Sequence, residues 1–179
     1  NDSEIFFTGI QTITDELKGL VGDSFKHATA LALLLVTFVL FFHFRSMKLV
    51  ILTLTPLITA IIWMLGTMKL LGVDITLLNF VATPIVIGIG IDDGVHIVEK
   101  YLHHPQEEMC KLIASCGKAV TLTSLTTVFG FSSLFLAQYS GFQSLGLCAI
   151  LGVSYCWLAS VFMLPTLLEI FSKGISKPN

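Results

Sequence analysis

Long runs of apolar residues broken by short charged stretches set the rhythm of this chain. The runs cover residues 28–44 (interrupted only by His43), 49–68, 75–91, 119–137 and 141–168. Each is near or above the ~17–25 residues a helix needs to cross a hydrocarbon core of ~30 Å. A buried helix in a water-soluble fold would rarely repeat five times at that length. The pattern therefore predicts an all-α integral membrane bundle of five transmembrane helices, with spans of about 28–44, 49–71, 75–98, 119–137 and 141–168 inside a membrane domain of residues 27–172.

The segments between and beside the runs add detail. Residues 101–118 are too polar to cross. Pro105 suits the first turn of a helix. Met109, Leu112, Ile113 and Cys116 then recur at i, i+3, i+4 and i+7, opposite Glu107, Glu108 and Lys111. That spacing predicts an amphipathic helix at the membrane surface. Residues 1–26 alone have soluble-domain character. Glu4 to Gly9 reads as a strand entering a turn, and Ile13, Leu17, Leu20 and Val21 then share a helical face. A lone strand is not stable, so the chain is expected to be part of a larger protein.

Basic residues give the orientation. With five crossings, Arg45, Lys48, Lys100, Lys111, Lys118, Lys173 and Lys177 collect on one side. Lys69, Lys18 and Lys26 fall on the other. Short cytoplasmic loops carry the excess of Lys and Arg. The first side is thus expected to be cytoplasmic, with residues 173–179 as a cytoplasmic tail and residues 1–26 outside.

Composition agrees with lipid as the solvent. Hydrophobic residues make up 54% of the 179 positions and charged residues 12%, against about 25% charged in ordinary soluble domains; the mean hydropathy is +0.87. A net charge of -2 gives no reason to expect nucleic acid. Cys110, Cys116, Cys148 and Cys156 form no C-x-x-C pair and read as small hydrophobes. His103 and His104, near Glu107 and Glu108, read as a hydrated loop rather than a metal site. No nucleophile–base or metal constellation stands out, so neither an enzyme nor a cofactor is expected.

The most informative stretch runs from Pro84 to His96 and places Asp92 and Asp93 inside the third apolar run. An acidic residue at that depth costs about 2.5–3.5 kcal/mol on insertion scales, so a functional role is the default hypothesis. Adjacent carboxylates repel each other and lose hydration. The pair should therefore hold a proton over part of the working pH range and titrate as a coupled unit. His96 lies four residues after Asp92 and three after Asp93, within reach of either on a helix. Glu99, six residues beyond Asp93, stands about 9 Å further along, too far for a short Asp side chain to reach the boundary easily.

Gly88, Gly90 and Gly94 flank the acids, and Gly90-x-x-x-Gly94 is a small-residue pattern for close helix packing. A phosphate-binding glycine loop needs another spacing and a strand before it. Pro84 can weaken the helix just ahead of the acids and free backbone groups for a polar pathway. In the fourth run, Thr121, Thr123, Ser124, Thr126 and Thr127 form a hydroxyl-rich stretch. Thr123, Thr126 and Thr127 are candidates for a hydroxyl relay to the acids; the competing reading is that such groups bond their own preceding carbonyls.

These residues resemble a known family. The run Gly88-Ile-Gly90-Ile-Asp92-Asp93-Gly94-Val-His96 is similar to the fourth-helix motif of the resistance-nodulation-division (RND) superfamily, particularly its MMPL and lipid-exporter branches. Thr8-Gly9 near the start, residues 123–131 (TSLTTVFGF), the amphipathic helix and Pro165 extend the resemblance over nearly the whole chain. The same five helices form the sterol-sensing domain of Patched-like relatives. The resemblance implies a proton-motive-force-driven exporter of hydrophobic or lipid-like substrates, multi-pass in a bacterial inner membrane. It implies two such halves, so the other half of the same polypeptide, or a homo-oligomer, would be the partner. Residues 1–26 would be the C-terminal end of an extracytoplasmic porter-like domain. Asp92 and Asp93 match the family's proton-relay acids, and His96 matches the lipid-exporter branch. A sterol-sensing-type, lipid-binding regulatory module without transport is the alternative.

Overall fold

The computed structural model describes residues 26–73, 77–103 and 109–172, and every regular element among them is helical. In chain order these are α1 (Lys26–Phe44), α2 (Met47–Leu70), α3 (Leu77–His103), α4 (Met109–Phe135), α5 (Ser140–Leu158), a single π-helical stretch (Ala159–Met163) and α6 (Leu164–Ser172). The last three form one continuous rod. The expected porter-like end and the expected tail lie outside the described residues, apart from Lys26, as does the proposed helix start at Pro105.

Among the described residues, four helical stretches are long and apolar enough to cross a membrane: Lys26–Phe44, Met47–Leu70, Val81–His103 and Ser140–Phe171. The helix α4 is not among them, because its serines and threonines dilute its apolar residues. The sequence pattern separates a surface helix from a fourth span, whereas residues 109–135 form one unbroken helix of 27 residues. No proline interrupts that stretch. Ile113, Gly117, Val120 and Ser124 also follow one another at helical spacing, so nothing stops the first turns from running on.

The chain reverses between helices with few residues. At the α1–α2 corner Arg45 takes a left-handed φ of 50°, a conformation that costs a non-glycine residue about 1–2 kcal/mol. The Arg45 amide still donates to the Phe41 carbonyl at 2.9 Å, so the last turn of α1 closes properly. After α2 the left-handed position is Gly72, at φ 65°, which has no Cβ to oppose it.

The packing core centres on α5, which touches α2, α3 and α4. Its buried face is built, apart from Val153, of small residues: Gly141, Ser144, Gly146, Cys148, Ala149, Gly152 and Cys156. With so little side chain, backbones come close. A Cβ at Gly152 would lie 2.6 Å from a Val86 methyl, and one at Gly146 would lie 2.7 Å from the Phe135 amide nitrogen. Polar ties reinforce the seams: Trp157 donates its indole N–H to Thr121 on α4 at 2.9 Å, and the Thr67 and Tyr155 hydroxyls meet at 2.8 Å.

The π-helical stretch has a local cause. Pro165 carries no amide hydrogen, and its ring would press on the carbonyl four residues earlier in a regular helix. Widening the turn relieves this, and the Leu164 amide donates to the Ala159 carbonyl, five residues back. By contrast α1 meets the core through a narrow stripe of Ala32, Val36, Leu40 and Phe44. Its other faces leave Leu34, Phe38, Val39 and Phe42 more than half exposed. An apolar surface of this kind is at home in lipid.

Candidate functional site

The acids sit in the second half of α3, and helical geometry sends them opposite ways. Residues one apart on a helix are turned by about 100°. Asp93 points into the bundle and is only 6% exposed, while Asp92 is exposed. The outward face of α3 carries Val81, Ile85, Gly88, Asp92 and His96, all exposed. The inward face carries Val86, Ile87, Gly90, Asp93, Gly94 and Ile97, all buried.

Asp93 has one protein donor on the neighbouring helix. The Ser124 hydroxyl, itself buried, donates across the α3–α4 seam to the carboxylate, 3.0 Å from Oδ2 and 3.2 Å from Oδ1. Ser124 lies on the face of α4 that also buries Gly117 and Val120, which is what turns its hydroxyl toward α3. The three threonines expected as a relay are placed otherwise. Thr123 donates to the Ala119 and Val120 carbonyls, and both Thr126 and Thr127 donate to the Thr123 carbonyl. Thr123 and Thr126 are exposed and Thr127 half-buried. Within this chain the structure brings Ser124, and not these threonines, to the acid.

The glycines divide by face in the same way. A Cβ at Gly94 would stand 3.1 Å from the Thr53 carbonyl oxygen of α2. One at Gly90 would stand 2.7 Å from the Cys156 sulfur of α5. Cys156 uses the space, donating its thiol hydrogen to the Gly90 carbonyl at 2.9 Å. Gly88, on the outward face, has nothing within 4 Å of a built Cβ. Pro84 is half-buried in the first half of α3. Two small residues thus lock α3 against α2 and α5, and that contact fixes which acid is buried.

His96 shares the outward face with Asp92 rather than the buried one with Asp93. The same face continues to Glu99 and His103, whose carboxylate and imidazole approach to 3.9 Å. Among the described residues no cluster of His, Cys, Asp and Glu could hold a metal ion. The site offers titratable chemistry: a carboxylate bonded by a hydroxyl, a second carboxylate beside it, and an imidazole one turn away.

The MMPL family model matches residues 1–179 in full. The chain belongs to the MMPL family. This family is a branch of the RND superfamily with sterol-sensing relatives, and the resemblance seen in the motif around Asp92 is thereby established. A membrane protein of Methanocaldococcus jannaschii is 29% identical over 178 residues, covering 96% of this chain and 46% of its own. The trehalose monomycolate exporter MmpL3 of Mycolicibacterium smegmatis is 28% identical, covering 98% of this chain and 18% of its own length. The mouse protein dispatched homolog 3 is 36% identical over 101 residues, 54% of this chain and 8% of that one. The chain therefore spans less than half the length of these MMPL-related proteins.

Sequence reasoning missed two features of the site. Ser124 was one of five hydroxyls, and only its register with Gly117 and Val120 marked it out. The small-residue seam of α5 was legible as Cys148, Gly152, Cys156 and Ser160 at strict four-residue spacing, a pattern of closely packed membrane helices.

Proposed function

We propose that this chain is one membrane half of a proton-motive-force-driven exporter of hydrophobic or lipid-like molecules, with Asp92 and Asp93 as the proton relay. The observation that carries the reading is the division of the acid pair. Asp93 is buried and held by Ser124, while Asp92 stands exposed among apolar residues on a helix long enough to cross the bilayer. Facing lipid, a charge at that position would cost several kcal/mol. Facing a second half across the outward face of α3, it would sit in a protein-lined seam, where repeat-built transporters place their sites. The names of two relatives, a trehalose monomycolate exporter and a hopanoid transporter of Burkholderia multivorans, support a lipid-like substrate.

On this reading α4 is the fifth crossing despite its hydroxyls, because the stretch facing α3 and α5 is shielded from lipid. The end of α3 and start of α4 face the cytoplasm. Residues 1–26 close an extracytoplasmic porter-like domain, and residues 173–179 form a cytoplasmic tail. The membrane is the plasma membrane, the inner one in a bacterium.

The test uses the full-length protein in proteoliposomes under an imposed proton gradient. Asn is nearly isosteric with Asp but does not titrate. Asp92→Asn and Asp93→Asn should each lower export to the level of protein-free vesicles, with normal membrane insertion; His96→Ala should be milder. Wild-type export from the double Asn variant would overturn the relay, and a regulatory lipid-binding module would then be the better reading.

A further inference from the structure

A cleft opens between the last turns of α3 and the first turns of α4. It measures about 370 Å³ and is lined by His96, Glu99, Lys100 and His103 from α3 and by Ser115 and Cys116 from α4. That is room for on the order of ten waters, given about 30 Å³ each in the liquid. Four titratable side chains of α3 line one wall, and Ser115 and Cys116 of α4 the other.

Two observations tie the cleft to the acids. Asp92, His96, Glu99 and His103 follow one another at i, i+4, i+7 and i+11, a single ladder of titratable groups on one face of α3. At 1.5 Å per residue the ladder runs about 16 Å, from the depth of the acid pair to the helix end. From the other wall, the half-buried Cys116 thiol lies within electrostatic reach of both Lys100 in the cleft and Asp93 behind it. On the α3 wall, His96 in the lining is three residues and about 4.5 Å of helix rise from Asp93.

We propose that this cleft is the aqueous port through which the acid pair exchanges protons with one side of the membrane. His96 is the link to Asp92, and the Glu99–His103 pair at the mouth collects and releases protons. The proposal rests on the relay reading above. Its chemistry is proton transfer alone: an imidazole nitrogen accepts a proton from the mouth while the other releases one toward Asp92, and the ring flips or re-tautomerises to reset. Among the described residues, the groups that face the mouth are Glu99, Lys100 and His103 of α3 and Ser115 and Cys116 of α4. Glu99 and Lys100 bring opposite charges to the cleft.

Cys116 is a built-in reporter. In the full-length protein in proteoliposomes, a membrane-impermeant cationic methanethiosulfonate should modify Cys116 from the side bearing Lys100, as mapped by mass spectrometry. Cys148 and Cys156, wholly buried, should resist it. Modification should slow proton-driven export several-fold, and in a protein already carrying Cys110→Ser the further change Cys116→Ser should abolish that sensitivity. The Glu99→Gln, His103→Gln double variant should export several-fold more slowly and shift the pH profile of export, with substrate affinity unchanged. An unreactive Cys116, or full export after its modification, would overturn the port. If Asp92→Asn and Asp93→Asn abolish export while Cys116 stays inert, the relay stands and only the port fails. If those variants export normally, the relay itself fails and the port with it.

Discussion

Asp92 and Asp93 are chain neighbours on one helix, yet their surroundings could hardly differ more. The inward face of α3 is crowded: Gly90 and Gly94 let α2 and α5 approach almost to backbone contact, and Asp93 is fixed by Ser124. The outward face is open: Gly88 has no neighbour and Asp92 stands free of the bundle. The same three residue types (glycine, aspartate, a β-branched or aliphatic filler) serve packing on one side and await a partner on the other. Sequence type therefore says little about role here, and helical phase says nearly everything.

The glycines offer the sharpest way to break that contrast. Gly90→Ala puts a Cβ against the Cys156 sulfur and should destabilise the bundle by about 1–3 kcal/mol, the usual cost of overpacking. Its melting temperature in detergent should fall accordingly. Ser124→Ala deletes a hydroxyl bonded to the buried Asp93, and should cost about 1–2 kcal/mol on the same assay, since a buried acceptor loses its donor. Gly88→Ala should do the opposite and raise stability by about 0.5–1 kcal/mol, because alanine favours helix and meets nothing. A destabilised Gly88→Ala protein would mean that the outward face is already packed against something. At the weak end, Thr126→Ala should stay within about 0.5 kcal/mol, because Thr126 bonds only its own helix and is exposed. A loss as large as that of Ser124→Ala would place Thr126 in the site after all.

Much of this architecture was readable before any coordinates. Runs of apolar residues announce membrane helices because lipid demands them, and buried charge announces function because it is costly. The existence of α1, α2, α3 and the α5–α6 rod followed from the first rule, and the proposal of a role for Asp92 and Asp93 from the second. The rest depends on how helices are rotated against one another, which a single sequence does not encode locally. The choice of Ser124 over Thr123, Thr126 and Thr127 is of this kind: all four carry a hydroxyl, and only the meeting of α3 with α4 selects one. The continuity of α4 was a different case. Its surface pattern from Met109 and its buried stripe through Gly117, Val120 and Ser124 share one phase, and expecting two helices overlooked that continuity. The π-helical stretch had no sequence mark beyond Pro165.

That stretch has a consequence for the whole last rod. A stripe that repeats every four residues precesses by about 40° per repeat around a helix of 3.6 residues per turn. From Cys148 to Leu168 such a stripe passes through Gly152, Cys156, Ser160 and Leu164, and in an unbroken α-helix it would swing by about 200°, onto the opposite side. Yet Cys148, Cys156, Ser160, Leu164 and Leu168 are all buried at 1% exposure or less. The wide turn at Ala159–Met163 rotates less per residue and acts as a phase correction, as an added day keeps a calendar aligned with the season. It removes part of that swing, so that one rod carries a four-residue repeat through the bundle and its last turns still pack on α2 and α3.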